Sequence, residues 1–238
     1  MFCGKCGTEI KDGDSFCTNC GAKVNDYKTN NDLLSQIKNT KCVTEYNDDT
    51  CVDKMECVKF GNYPQNDATG KDKEPIEWLV IDKEENKVLL LSKHILFATY
   101  QHHDESWSEN GLRTDLNSSF IKKAFSLDEQ SLIIETNNKN EGNEFYGIDP
   151  TKETIDMAFC LSINEVTRIK NKDYRKAKAT KYSEKSSTSG LEINDDGFCP
   201  YFLRDENSYI SSSGDIQTTL NYGNGLGYGV RPAIWVKI

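Results

Sequence analysis

The clearest apolar runs in this chain are Ile76–Asp82 and Lys87–Ser92, separated by Lys83-Glu84-Glu85-Asn86. Two short apolar runs flanking a charged tetrad predict a β-hairpin. From Leu112 to Phe125 the period changes to that of a helix, with Leu112, Leu116, Phe120 and Ala124 on one face. Ser126-x-x-Glu129 then reads as a capping box, with Leu132 and Ile133 as the buried side of the helix it opens. Ser162-x-x-Glu165, after the apolar Met157–Leu161, reads the same way and opens a helix to about Lys170. Beyond Lys185 the chain is rich in Gly, Ser, Asn and Asp, with strand-like pieces at Cys199–Leu203, Ser208–Ser212 and Val230–Ile238. A loop carrying Gly223, Gly225, Gly227 and Gly229 precedes the last of these. Early helices, late irregular loops and a closing strand predict an α+β domain.

Ahead of this body the pattern is polar. After Val24 the residues are mostly Asn, Asp, Lys and Thr, with no apolar alternation until about Val58. Such a stretch reads as a linker, with a short helix around Asp32–Ile37. The expected division is therefore a small unit at 1–25, a polar linker at 26–56 and the α+β domain at 57–238.

The small unit carries the most specific chemistry. Phe2-Cys3-x-x-Cys6-Gly7-x-x-Ile10 and Phe16-Cys17-x-x-Cys20-Gly21-x-x-Val24 are near-copies of each other. Each C-x-x-C brings two sulfurs to one side of a tight turn, and the following glycine can take the positive φ that the turn needs. Cys3, Cys6, Cys17 and Cys20 together supply the closed tetrahedral shell of one structural Zn²⁺, at about 2.3 Å per Zn–S bond. A Cys₄ shell leaves no position for a catalytic water. Two disulfides or a redox pair are the alternative, but no strand–helix context surrounds either pair. Residues 2–24 resemble the short N-terminal zinc-ribbon family of bacterial and archaeal proteins. Many proteins similar to it follow the ribbon with a membrane helix, and this chain shows none there. Cys42, Cys51 and Cys57 lack C-x-x-C spacing and read as incidental thiols in the linker.

Of the 238 residues, nine are cysteines, an odd count, and no secretory apolar segment follows Met1. No apolar stretch approaches the ~20 residues of a membrane span. The protein is expected to be cytoplasmic with reduced thiols. Net charge is −9, which disfavours non-specific nucleic-acid binding. Residues 168–185 are the local exception, with 8 Lys and Arg against 2 Asp and Glu. A run of like charge reads as a solvated face before it reads as a nucleic-acid grip.

The body resembles a bacterial family classed as a domain of unknown function. The matching blocks are Phe60-Gly61-x-Tyr63, Pro75–Ile81, Leu89–Ser92, Trp107 through Asn117, Ala124–Glu129 and Phe159–Glu165. Later blocks are Arg175-x-Ala177-x-Ala179-Thr180-x-Tyr182, Pro200–Asp205 and Gly229–Val236. Tyr201-Phe202 stands where that family has two Trp, and Asp205-Glu206-Asn207 where it has Ser-Pro-Gly. The late blocks are also distantly similar to C-type-lectin-like folds, the formylglycine-generating group among them. That likeness implies small antiparallel sheets supporting long loops, and as fold-level analogy it settles no function.

Candidate binding residues follow from the late blocks. Arg204 and Arg231 lie beside glycine-rich loops and could grip a carboxylate or phosphate. Equally, they could staple loops to the sheet, which is how buried arginine is usually paired, and that reading is preferred. Tyr201, Tyr222 and Tyr228 lie in an aromatic-rich, Gly- and Ser-rich region suited to adaptable recognition. His102-His103-Asp104-Glu105 reads as a solvated loop tip, since adjacent residues rarely face one centre. No nucleophile motif or phosphate-cradling glycine loop is found. The expected function is non-enzymatic binding of a protein, peptide or small polar ligand around Tyr201–Arg204 and Tyr222–Arg231. An enzyme on a formylglycine-generating-like fold and nucleic-acid binding through ribbon and basic run are the alternatives.

Overall fold

A computed structural model describes residues 8–9, 11, 14, 16–21, 29–46, 50–99, 105–186, 190–219 and 227–238. Cys3, Cys6, His102, His103, Tyr222, Gly223 and Gly225 lie outside them.

The first sheet contains the expected hairpin. Its strands are β1 (Val58–Tyr63), β2 (Glu74–Lys83) and β3 (Lys87–Ser92), joined by β11 (Ala233–Lys237) in the order β1-β2-β3-β11. All neighbours are antiparallel, and β11 pairs with β3 from Ala233↔Leu91 to Lys237↔Lys87. Four consecutive residues of β3, Val88–Leu91, are buried, as are Ile234 and Val236 opposite. The continuous apolar run therefore marks a strand covered on both faces. A register shift interrupts β1 between Lys59 and Asn62. Gly61 sits in that bulge at φ +70°, and a Cβ there would come within 2.5 Å of the Phe125 ring. Only glycine meets both demands.

The predicted helix is present as one rod in three pieces: α2 (Gly111–Asp115), a π-helical turn (Leu116–Phe120) and α3 (Ile121–Ala124). Both capping boxes are formed, at the starts of α4 (Leu127–Leu132) and α5 (Ile163–Val166). The second helix is shorter than expected and continues only as turns. Glu129 serves twice, since its second oxygen accepts the Gly61 N–H of the outer strand β1 at 3.2 Å. On the same strand, the Lys59 N–H donates to Gln36 Oε1 at 2.7 Å. Side chains thus satisfy backbone donors that an edge strand would otherwise offer to another chain.

The second sheet holds the late strands, in the order β4-β10-β7-β8-β9. They are β4 (Phe97–Thr99), β7 (Tyr201–Phe202), β8 (Tyr209–Ile210), β9 (Ile216–Gln217) and β10 (Tyr228–Val230). β10 and β7 are parallel, and the other pairs are antiparallel. A separate hairpin pairs β5 (Thr136–Asn138) with β6 (Thr154–Asp156). Helix α6 (Lys181–Ser186) packs beside β4.

One expectation is corrected. The stretch 26–56 is not a spacer from Thr29 onward. Helix α1 (Thr29–Asn39) and two 3₁₀ turns (Val43–Glu45, Val52–Lys54) bury Leu33, Ile37, Val43, Val52 and Met55 in the core. Those five apolar residues face inward and Gln36 completes β1, so low apolar content concealed a packed segment.

The basic run is largely paired. Arg168 meets Asp82 at 2.7 Å, Lys178 meets Asp53 at 2.7 Å, and Lys172 meets Asp215 at 3.3 Å. No described helix is long and apolar enough to cross a membrane.

Candidate functional site

The residues expected to bind a ligand are mostly internal, which corrects their placement on a loop surface. Tyr201 and Arg231 are each 1% exposed, and Tyr228 and Arg204 are buried as well. The Tyr201 hydroxyl donates to the Arg175 carbonyl at 2.6 Å and accepts from Arg231 Nη1 at 3.0 Å. Arg231 also donates from Nε to Ser92 O and from Nη1 to Arg175 O, both at 2.7 Å. Its Nη2 meets no acceptor among the described residues. Burial pushes the Tyr201 phenol above its ordinary pKa, and the Arg231 guanidinium opposes that rise. Tyr228 packs its ring against Phe202 and Tyr209, at 5.0 and 4.8 Å between centroids. These groups join the two sheets because desolvating them needs polar partners that only distant segments supply.

Arg204 forms a second knot. Its Nε donates to Asn140 Oδ1 at 2.9 Å and its Nη1 to Cys160 O at 3.1 Å. Both Glu165 oxygens accept from the guanidinium, a two-pronged pairing. Glu165 is the capping-box residue of α5, so one carboxylate caps a helix and neutralises a buried cation. Beside it, burial raises the Asp205 carboxyl above the usual carboxylate range, while the Ile163 N–H it accepts opposes the rise.

A third knot was not foreseen from the residue pattern. The Asp156 side chain is fully buried and accepts from Trp107 Nε1 at 3.0 Å, Arg113 Nε at 2.6 Å, Asn138 Nδ2 at 2.8 Å and Thr154 Oγ1 at 2.7 Å. Asn117 closes the far side by accepting from Met157 N and Ala158 N through Oδ1. The only signal was the Trp107-to-Asn117 block, which holds Trp107 in the turn ahead of the rod and Arg113 and Asn117 on it.

With those groups consumed, an opening lies elsewhere. A groove of about 690 Å³ runs between the outer face of β1–β2 and the segment leading into α6. Its walls alternate in charge: Lys59, Lys178 and Lys181 against Glu74, Glu77 and Glu184. Glu77 is held by Lys93 at 3.2 Å. His94 lines the floor, and burial together with Lys93 lowers its pKa, so it is neutral at pH 7. Gln65 closes one end by donating to Glu74 O and Pro75 O. A smaller cavity of about 300 Å³ lies over Arg204, Asp205 and Trp235.

Comparison with known families adds an identity to this geometry. Residues 85–238 match the family described as Domain of unknown function (DUF6273), and residues 2–24 match a zinc-ribbon domain. The chain belongs to the DUF6273 family. No curated protein and no solved structure matches it. Trp107, Arg113, Asn117, Asp156, Glu165, Tyr201, Arg204 and Arg231, which stand at the centres of the three knots, all lie within the DUF6273 match. Strands β1 and β2 precede the match, yet they complete its first sheet and one wall of the groove, and helix α1, also ahead of it, packs on β1.

In the ribbon, the described residues fit a metal turn. Gly21 takes φ +69° and donates its N–H to Cys17 O at 2.9 Å. This hydrogen bond closes the Cys17-x-x-Cys20 turn. The ribbon match points to zinc binding, in which Cys17 and Cys20 would supply half of a four-thiolate shell.

Proposed function

We propose that this DUF6273 chain is a non-enzymatic binding protein in which a zinc-stabilised ribbon accompanies a rigid, lectin-like recognition domain. The observation that carries the reading is the groove between β1–β2 and α6, with its balanced lysines and glutamates and half-buried His94. Alternating charge on facing walls suits a polar ligand bearing both signs, such as a peptide. The three knots support the rest of the reading, because a groove with fixed walls loses little entropy when filled. In the ribbon, Cys3, Cys6, Cys17 and Cys20 hold one structural Zn²⁺, which supplies folding energy and no chemistry. The lectin-like description is supported by a closing strand, β11, that joins the early sheet while a second sheet carries the late loops. Nucleic acid is disfavoured because Arg168, Lys172 and Lys178 already face Asp82, Asp215 and Asp53.

The test is amide chemical-shift mapping of the full chain during titration with short mixed-charge peptides. Saturable shifts clustered on Glu77, His94 and Thr180 are expected, weakened about tenfold by Lys59→Glu combined with Lys181→Glu. Shifts clustered elsewhere, absence of saturation, or chemical turnover of a peptide would overturn the reading.

A further inference from the structure

A large aromatic side chain on a protein surface needs a reason when the loop beneath it is tightly held. Phe145 is 88% exposed, at the tip of the connection between β5 and β6, with Tyr146 packed edge-on at 5.0 Å between ring centroids. On the same hairpin, Ile155 is 65% exposed. The loop under Phe145 is closed by reciprocal hydrogen bonds between Asn143 and Ile148, at 2.8 and 3.0 Å. Asn143 Oδ1 caps the 3₁₀ turn Glu144–Tyr146 by accepting the Tyr146 N–H. Two side-chain ties then fasten the loop to the body. Asn164 reaches Gly142 O at 2.8 Å and Asn143 Nδ2 at 2.6 Å. Asn140 holds Lys152 O at 2.8 Å and is itself held by Arg204 at 2.9 Å. The buried Arg204 knot thus ends at the base of this loop.

We propose that the β5–β6 loop is a protein-docking surface whose anchor is Phe145, fitted to a linear segment of a partner that pairs a large apolar residue with flanking lysine or arginine. Interfaces concentrate their affinity in a few aromatic anchors that fill pockets, and an anchor held in place beforehand loses little freedom on docking. The charge around it sets the partner's chemistry. Glu141, Glu144, Asp149 and Glu153 are all exposed on this connection, against Lys139 and Lys152. An acidic collar favours basic flanking residues and is repelled by the anionic headgroups of a membrane surface. This surface is separate from the groove lined by Glu77 and His94, and its test does not depend on that reading.

The experiment uses immobilised full-length, zinc-loaded protein to select from a displayed library of short linear peptides. Selection is run in parallel against Phe145→Ser, which should fold unchanged because the ring is in water. Expected hits pair a large apolar residue with flanking Lys or Arg. Their binding should fall tenfold or more in Phe145→Ser, several-fold in Glu141→Lys/Glu144→Lys, and steadily with added salt, while Lys59→Glu/Lys181→Glu leaves it intact. Selection of the same peptides by wild type and Phe145→Ser, or of none by either, overturns the proposal. So does Phe145-dependent binding to phosphatidylserine vesicles in the absence of peptide binding.

Discussion

The β1–β3/β11 sheet and the loop-rich half of the molecule are held together by different physics. In the sheet, Trp78, Leu79, Val80 and Val88–Leu91 are buried in an apolar layer, and stability follows from area removed from water. Across the loops, Asp156, Arg204 and Arg231 each gather hydrogen bonds from segments far apart in sequence. An apolar layer tolerates a changed side chain in proportion to the volume lost. A polar knot fails abruptly, because each partner left behind is a buried group without water.

The sharpest way to break the comparison is Asp156→Ala, which strands Trp107, Arg113, Asn138 and Thr154 at once. A loss of about 3–5 kcal/mol is expected in urea unfolding, the range for breaking a buried ion pair. Leu90→Ala in the sheet should cost about 2–4 kcal/mol, leaving a cavity and no orphaned polar group. If Leu90→Ala proved the costlier by a wide margin, the knots would be ornaments on an apolar core.

Alkaline titration probes the buried thiols of the loop-rich half. Burial raises Cys160 and Cys199 to about 12. The folded state then keeps protons that the unfolded chain releases near pH 9, so stability falls as pH rises from 9 toward 12. The slope is about 1.4 kcal/mol per pH unit for each thiol. At neutral pH the exposed Cys51 should react with an alkylating reagent while Cys160 and Cys199 stay protected, as mass spectrometry can score. Ser126→Ala removes one cap of α4 and should cost only about 1 kcal/mol in thermal or urea melts. Smallest of all is the effect of a zinc chelator on the body. It should abolish the ribbon's folded signals and leave the unfolding midpoint of the domain unchanged, and a shifted midpoint would mean that the ribbon buttresses the domain.

How far the sequence could be read follows the same divide. The β2–β3 hairpin, both capping boxes and the closing strand were legible because their signals are local: a period, a turn, a residue three positions on. The short strands β4, β5, β6 and β9 were missed, since two or three residues carry no period. The short helix around Asp32–Ile37 was read and is present within α1, but its packing into the core was missed because Leu33 and Ile37 are sparse among polar neighbours. Tyr201, Arg204 and Arg231 were read as candidate ligand-binding residues and are internal instead, while the preferred stapling of the two arginines is how they sit, Arg231 on carbonyls and Arg204 on a carbonyl and Glu165. What no pattern announced was the partner of each, because Asn140, Glu165, Arg175 and Ser92 are brought near only by the finished fold. The groove was equally hidden, since its two walls come from segments that share no motif.

The link from Arg231 to Ser92 spans 139 positions, and β11 supplies the neighbour that β3 needs on its second edge. On the ribosome, β2 and β3 can meet early, yet their sheet lacks a side, and Arg231 cannot tie it to Tyr201, until the last strand has emerged. Ribosome-bound chains that end before Ala233 should therefore remain open to protease, with the apolar edge of β3 a target for chaperones. Closure of the first sheet is thus expected late, after Lys237 has been added.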